Sequence, residues 1–177
     1  MARKNVYTIR GVANWAKILG DPVDNYAKDG KEWTMDITPD KDGMKTIEDL
    51  GLTKKIKNKE DDRGDFIQFR QRATRLDGSQ NRRISVSDAA GHPWPDNELI
   101  GNGSVVDVKF EFKDYGEGKH PGVYPQAVRV LDHKAYERVE FAPLAQTDPY
   151  AGKVGAATKS GQLPEEMEPA NDDEFPE

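Results

Sequence analysis

Residues Ser104 to Lys113 set Val106, Val108, Phe110 and Phe112 in strict alternation with Asp107, Lys109, Glu111 and Lys113. A period of two puts the apolar side chains on one face of a strand and the charges on the other. One face of this strand is therefore buried and the other is wet, the mark of an antiparallel sheet around a single core.

Other segments read as partners for it. Val6 to Ile9 is β-branched and aromatic and continues through a bend at Gly11 toward Val12 and Trp15. After a turn-prone stretch from Gly20 to Gly30, Trp33, Met35 and Ile37 alternate within Glu32 to Thr38, and Pro39 stops the strand. Asp42 to Leu50 carries Met44, Ile47, Glu48 and Leu50 at helical spacing, with Gly51 placed to end the helix. Asp65 to Ala73 and Arg83 to Ser87 bracket a turn at Asp77 and Gly78 and are expected to form a hairpin. Gly101 to Gly103 turns into the alternating strand, and a loop from Asp114 to Gly122 leads to a last strand over Val123 to Leu131. The expected fold is mainly β: a five- to six-stranded Greek-key barrel with one short helix, the order of an OB-fold and of other small Greek-key barrels.

Charge separates the chain into two parts. The whole is 33% charged with a net charge of -6, yet residues 151 to 177 hold two lysines against seven carboxylates and so account for -5 of it. The body, residues 1 to 150, is nearly neutral, with 24 basic and 25 acidic groups, and carries a basic face if those groups are sorted by side. A hydrophobic share of 35% and a mean hydropathy of -0.87 suit one domain with a modest core. From Ala151 the sequence becomes Gly, Ala, Pro and Glu with almost no large apolar residues, the composition of a disordered tail. No cysteine is present, which excludes disulfides and thiolate metal sites. No apolar run has the length of a membrane span, and no hydrophobic region follows the basic start as a signal peptide requires, so a cytoplasmic protein is expected.

The segment Phe66, Gln68, Arg70 and Arg72 shares one strand face, opposite Ile67 and Phe69. It thus pairs cations with an aromatic ring, and these are the two ingredients of sequence-tolerant binding to unpaired nucleic acid: charge for phosphates and a stacking surface for any base. Arg75, Arg82 and Arg83 extend the cationic surface around the turn, and Lys54, Lys55 and Lys57 follow the helix. Trp94, between two prolines, is either a lid over the core or a stacking platform; Tyr124 is a further candidate ring, and Trp33 belongs to the core pattern. Trp15 and Tyr26 are large aromatics outside that pattern to which no role is assigned. In the tail, Asp172, Asp173, Glu174 and Phe175 place one ring in an acidic stretch, suited to an apolar partner pocket with a basic rim.

These residues resemble the single-stranded DNA-binding proteins of tailed phages. The similarity lies in Gly101, Asn102, Gly103, Ser104, Val105 and Val106, a turn feeding one barrel strand, and in Gly122, Val123, Gln126, Ala127, Val128, Arg129 and Val130. The tail also resembles the bacterial single-stranded DNA-binding tip, in which acids precede an apolar residue and a proline, except that Glu177 stands where that tip has a terminal aromatic. The resemblance implies an OB-fold with no catalysis; no cofactor is expected, and His92, His120 and His133, scattered without ligand spacing, give no expectation of a metal site. It also implies single-stranded DNA as partner in replication and recombination, and a tail that contacts replication or recombination proteins. Two rival readings stand beside it. Asp96, Asp107 and Lys109 spell the loose signature of a Mg-dependent nuclease of restriction type, and a β-barrel with an acidic tail also suits a non-catalytic interaction module.

Overall fold

The computed structural model describes residues 5–137 and, beyond them, positions 142, 145–147, 149 and 151. The expected acidic tip, Asp172, Asp173, Glu174 and Phe175, lies outside the described residues.

Five long strands form the body: β1 (Val6–Lys17), β3 (Lys31–Pro39), β5 (Asp65–Arg72), β7 (Ser104–Lys113) and β8 (Gly122–Asp132). Three short ones complete a single eight-stranded sheet: β2 (Val23–Asp24), β4 (Ile56–Asn58) and β6 (Ser85–Asp88). Neighbours run β4-β5-β3-β1-β7-β8-β6, with β2 added beside β3. The five long strands are those the alternation in the sequence announces; the short ones are too brief to show a period.

The apolar sides of these strands make the core. Ile9 and Ala13 of β1, Met35 and Ile37 of β3, Ile67 and Phe69 of β5, Val106, Val108 and Phe110 of β7, and Val128 and Val130 of β8 are all buried. Phe69 and Phe110 lie three strands apart in the sheet order, yet their ring centroids are 5.4 Å apart. Only a sheet rolled onto itself brings them together, so β5 and β8 approach each other and the sheet curls into a partly open Greek-key barrel of OB type. Among the described residues no hydrogen-bonded ladder joins β5 to β8, and the barrel stays unzipped along that seam.

The helix, α1 (Lys41–Asp49), begins where Pro39 ends β3. The Asp40 carboxylate accepts from the Gly43 N–H at 2.7 Å and caps it, while Gly51 closes it at φ 69°. At Gly11 β1 passes close against β3: a Cβ there would stand 2.3 Å from the Thr38 carbonyl oxygen, so no larger residue fits. The Gly101–Gly103 turn is pinned to β1, because the Gly103 N–H donates to the Ala13 carbonyl at 3.0 Å and the Asn102 side chain accepts from the Trp15 N–H at 2.8 Å.

One expectation is corrected here. The Asp65–Ala73 and Arg83–Ser87 segments do not pair as a hairpin; β6 runs parallel to β8, Val86 opposite Val128. The turn survives only at its tip, where Thr74 bridges Gln80 and the Asn81 N–H donates to the Ala73 carbonyl. Asp77 and Gly78 specify the turn, but partner choice past its tip rests with the core, which takes Ile84 and carries the chain to the far edge of the sheet.

Candidate nucleic-acid interface

The unzipped seam opens into a groove of about 1170 Å³. Its floor and walls come from β4 and β5 with Lys57, Gln68, Arg70 and Arg72, from the turn before β4 with Lys54 and Lys55, and from β8 with Val123 and Tyr124. Three connections rim it: the β2–β3 loop with Asn25, Tyr26 and Ala27, the turn after β5 with Arg75, Leu76 and Asp77, and the β7–β8 loop with His120. Six lysines and arginines therefore face two carboxylates, Glu32 and Asp77. A body of near-neutral charge thus gathers six of its cations in one groove, because β5 and β4 present their polar faces together once their apolar faces are committed to the core.

The cations are close enough to feel one another. The Lys57 ammonium donates to the Gln68 side-chain oxygen at 3.1 Å, and burial, helped by the neighbouring Arg70 charge, pushes it below the ordinary lysine range. Such crowding raises the free energy of the empty groove, and a polyanion laid along it relieves that cost.

At the other wall the Tyr115 and Tyr124 hydroxyls share a hydrogen bond of 2.6 Å. That bond, together with burial, pushes the Tyr124 phenol up to about 12. Because the folded pKa lies above the unfolded one, the stabilisation is complete below the ordinary phenol range and is lost as pH rises through about 12. Alkaline spectrophotometric titration of the folded protein should show one late-ionising phenol, and Tyr115→Phe should lower it toward the ordinary range, burial still raising it; an unchanged titration curve would mean the two hydroxyls are not paired.

Of the residues expected from sequence, Lys54, Lys55, Lys57, Arg70, Arg72, Arg75 and Tyr124 line this one groove. Four do not. Phe66 is 2% exposed, covered by the Arg63 guanidinium 4.1 Å from its ring centroid, so it offers no free ring and the expected stacking face at this position is corrected. Arg83 donates to the Gly20 carbonyl at 3.0 Å and lies 3.8 Å from Asp96, a tie between loops. Arg82 is exposed outside the groove, its carbonyl accepting from the Gln71 side chain. Trp94 packs half-buried against the core near β8, its indole N–H donating to the Glu98 carbonyl and its ring edge-on to His133, so of its two readings the lid over the core describes its place. Tyr26, Leu76 and His120 are groove residues the sequence reading leaves unassigned. Tyr26 is 99% exposed, and its only signal is that it is an aromatic residue within a turn.

The nuclease signature does not assemble. Both Asp107 oxygens accept from guanidiniums, Oδ1 from Arg10 at 2.8 Å and Oδ2 from Arg129 at 2.6 Å, and the Arg10 bond above all holds this carboxyl below its usual range. Asp96 pairs instead with Arg83. Among the described residues no three His, Asp or Glu side chains gather as a metal site, and no helix is long and apolar enough to cross a membrane.

No family model and no curated protein matches this sequence. Solved structures do. Gp2.5, a single-stranded DNA-binding protein encoded by bacteriophage T7, superposes with a TM-score of 0.52 at 14% identity, over 89% of this chain and 97% of that one. The single-stranded DNA-binding protein from bacteriophage Enc34, truncated at its C-terminus, gives 0.51 at 14% identity over 76% and 90% of the two chains. The same protein in complex with single-stranded DNA gives 0.51 at 15% identity over 76% and 89%. Coverage of nearly the whole of each at such low identity is a likeness of architecture, and the fold of this chain is that of the phage single-stranded DNA-binding proteins.

Proposed function

We propose that this chain binds single-stranded DNA without regard to sequence and shields it during phage replication and recombination. The observation that supports this most directly is the seam groove, where six cationic side chains and two tyrosines lie along one open channel. In OB-folds the second and third strands, with the loops joining strands one to two and four to five, receive oligonucleotides. Counted among the long strands, β3 and β5 are the second and third, and the loops carrying Tyr26 and His120 are those two loops.

On this reading the lysines and arginines take phosphates, with Arg70 and Arg72 central, while Tyr26 and Tyr124 offer rings to bases of any identity. Catalysis has no part in it. Fluorescence polarisation with labelled oligonucleotides tests the proposal. Binding should grow with strand length, tolerate any sequence and weaken as salt rises; Mg-dependent shortening of the strand would favour a nuclease, and no binding in dilute buffer would favour an interaction module.

The tail enters the same proposal as a competitor and a recruiter. Its seven carboxylates carry the excess charge of the chain, and Asp172, Asp173, Glu174 and Phe175 suit a basic-rimmed pocket on a replication or recombination protein. Deleting residues from 160 onward is expected to tighten DNA binding, since a tethered polyanion is removed from competition for the groove. A marked loss of affinity in the same polarisation assay would contradict that role.

A further inference from the structure

Outside the groove one exposed aromatic is held in place with unusual thoroughness. Trp15 lies near the end of β1, where the pairing with β3 slips between Asn14 and Lys17, and its backbone adopts φ 47°. That left-handed conformation is strained for a bulky side chain and persists only where the surroundings enforce it. Two devices do so. The Asn102 side chain accepts from the Trp15 N–H at 2.8 Å, and the Arg63 guanidinium lies 3.9 Å over the indole.

Arg63 is itself immobilised. It is stacked between the Trp15 and Phe66 rings and ion-paired with Asp36 and Asp61, and the hydrogen bond to Asp61 above all draws the guanidinium pKa upward. Its charge is thus answered by two carboxylates, so it is an unsuitable phosphate ligand; it serves as a rigid backing plate. Phe66, Arg63 and Trp15 form a three-layer stack whose outermost layer, Trp15, is 53% exposed. A buried ring, a clamped guanidinium and a strained backbone all act to hold an indole at the surface, where it gains least from the hydrophobic effect.

The stack adjoins the groove. Asp36 is the register partner of Gln68 on one side and of Asn14 on the other, and Gln68 lines the groove wall. Two strand spacings, about 10 Å, therefore separate the groove wall from the strand that bears Trp15. We propose that Trp15 is a base-stacking platform, its outer face receiving a nucleobase of a single strand whose phosphates follow the seam groove. This rests on the single-strand reading above and extends the interface from β5 across β3 to β1.

Stacking and phosphate contact leave different signatures. Losing a phosphate ligand changes the salt dependence of binding, whereas losing a stacked ring lowers affinity at every salt concentration alike. The test is a titration with oligothymidylate, followed both by intrinsic tryptophan emission and by anisotropy of a labelled strand. Trp33 is buried and Trp94 packs against the core, so binding should quench the emission of Trp15 above all.

In W15F most of that quenching should vanish while anisotropy still reports near wild-type affinity. In W15A affinity should fall about 5- to 150-fold with the slope of log affinity against log salt unchanged. If W15A melts at a much lower temperature, W15F decides, since it keeps a ring on Arg63. Quenching that persists in W15F, or wild-type affinity in a folded W15A, would overturn the platform and leave the single-strand reading intact. A wild-type protein that binds no strand would overturn both.

Discussion

Replacing Arg70 and Arg72 together by alanine is expected to weaken single-strand binding by roughly tenfold for each guanidinium lost, the effect of removing a charge-assisted hydrogen bond. The salt dependence should flatten as well. Each phosphate neutralised on a single strand contributes about 0.7 to the slope of log affinity against log salt, so the double variant should lose about 1.4. Both side chains are exposed on β5, in register with Thr34 and Glu32 of β3, and neither takes part in the core, so melting should change little. Measuring affinity across a salt series checks this directly. A loss of affinity with an unchanged slope would move the phosphate path away from β5.

Phe110→Ala should be the costliest single change in the body. The ring is 0% exposed and sits at the centre of the barrel, 5.4 Å from Phe69 and 6.1 Å from Tyr7, centroid to centroid. Truncating a buried phenylalanine removes its transfer free energy and leaves a cavity, at a cost of about 3–5 kcal/mol. Urea unfolding reads that loss. The consequence reaches the groove, because Phe69 is the inner-facing neighbour of Arg70 on β5 and no hydrogen-bonded ladder holds β5 to β8 among the described residues. With only side-chain packing across the seam, loosening Phe69 should widen the groove and weaken DNA binding as temperature approaches the melting point. A loss below about 1.5 kcal/mol would mean that the barrel closes up around the missing ring.

Much of the fold was legible because much of it is local. The alternation from Val106 to Phe112 and from Trp33 to Ile37 names the buried face of β7 and of β3, and the structure buries Val106, Val108, Phe110, Trp33, Met35 and Ile37. Helix α1 begins and ends within a residue of the expected limits, since its cap, Asp40, and its closing glycine, Gly51, lie in the segment itself. The cationic residues of β5 were legible for the same reason: Arg70 and Arg72 alternate with Phe69, whose burial sends them outward. Phe66 obeys the same alternation and shares their face, yet it is buried, because Arg63 arrives from the β4–β5 turn to cover it.

Local patterns along the chain settle which residues form the long strands, which side of each is apolar, where the helix starts and stops, and that the negative charge is concentrated after residue 150. These follow from the period of side chains along a backbone and from capping chemistry, which involve neighbours only a few residues apart. Tertiary structure alone decided that β6 joins β8 in parallel, that seven of the expected contacts meet along one seam while Phe66, Arg82, Arg83 and Trp94 fall outside it, and that Trp15 rests on Arg63. Each of these depends on which strands lie side by side after the sheet rolls up. That arrangement is set by packing a common core among residues up to a hundred positions apart, and no local period encodes it.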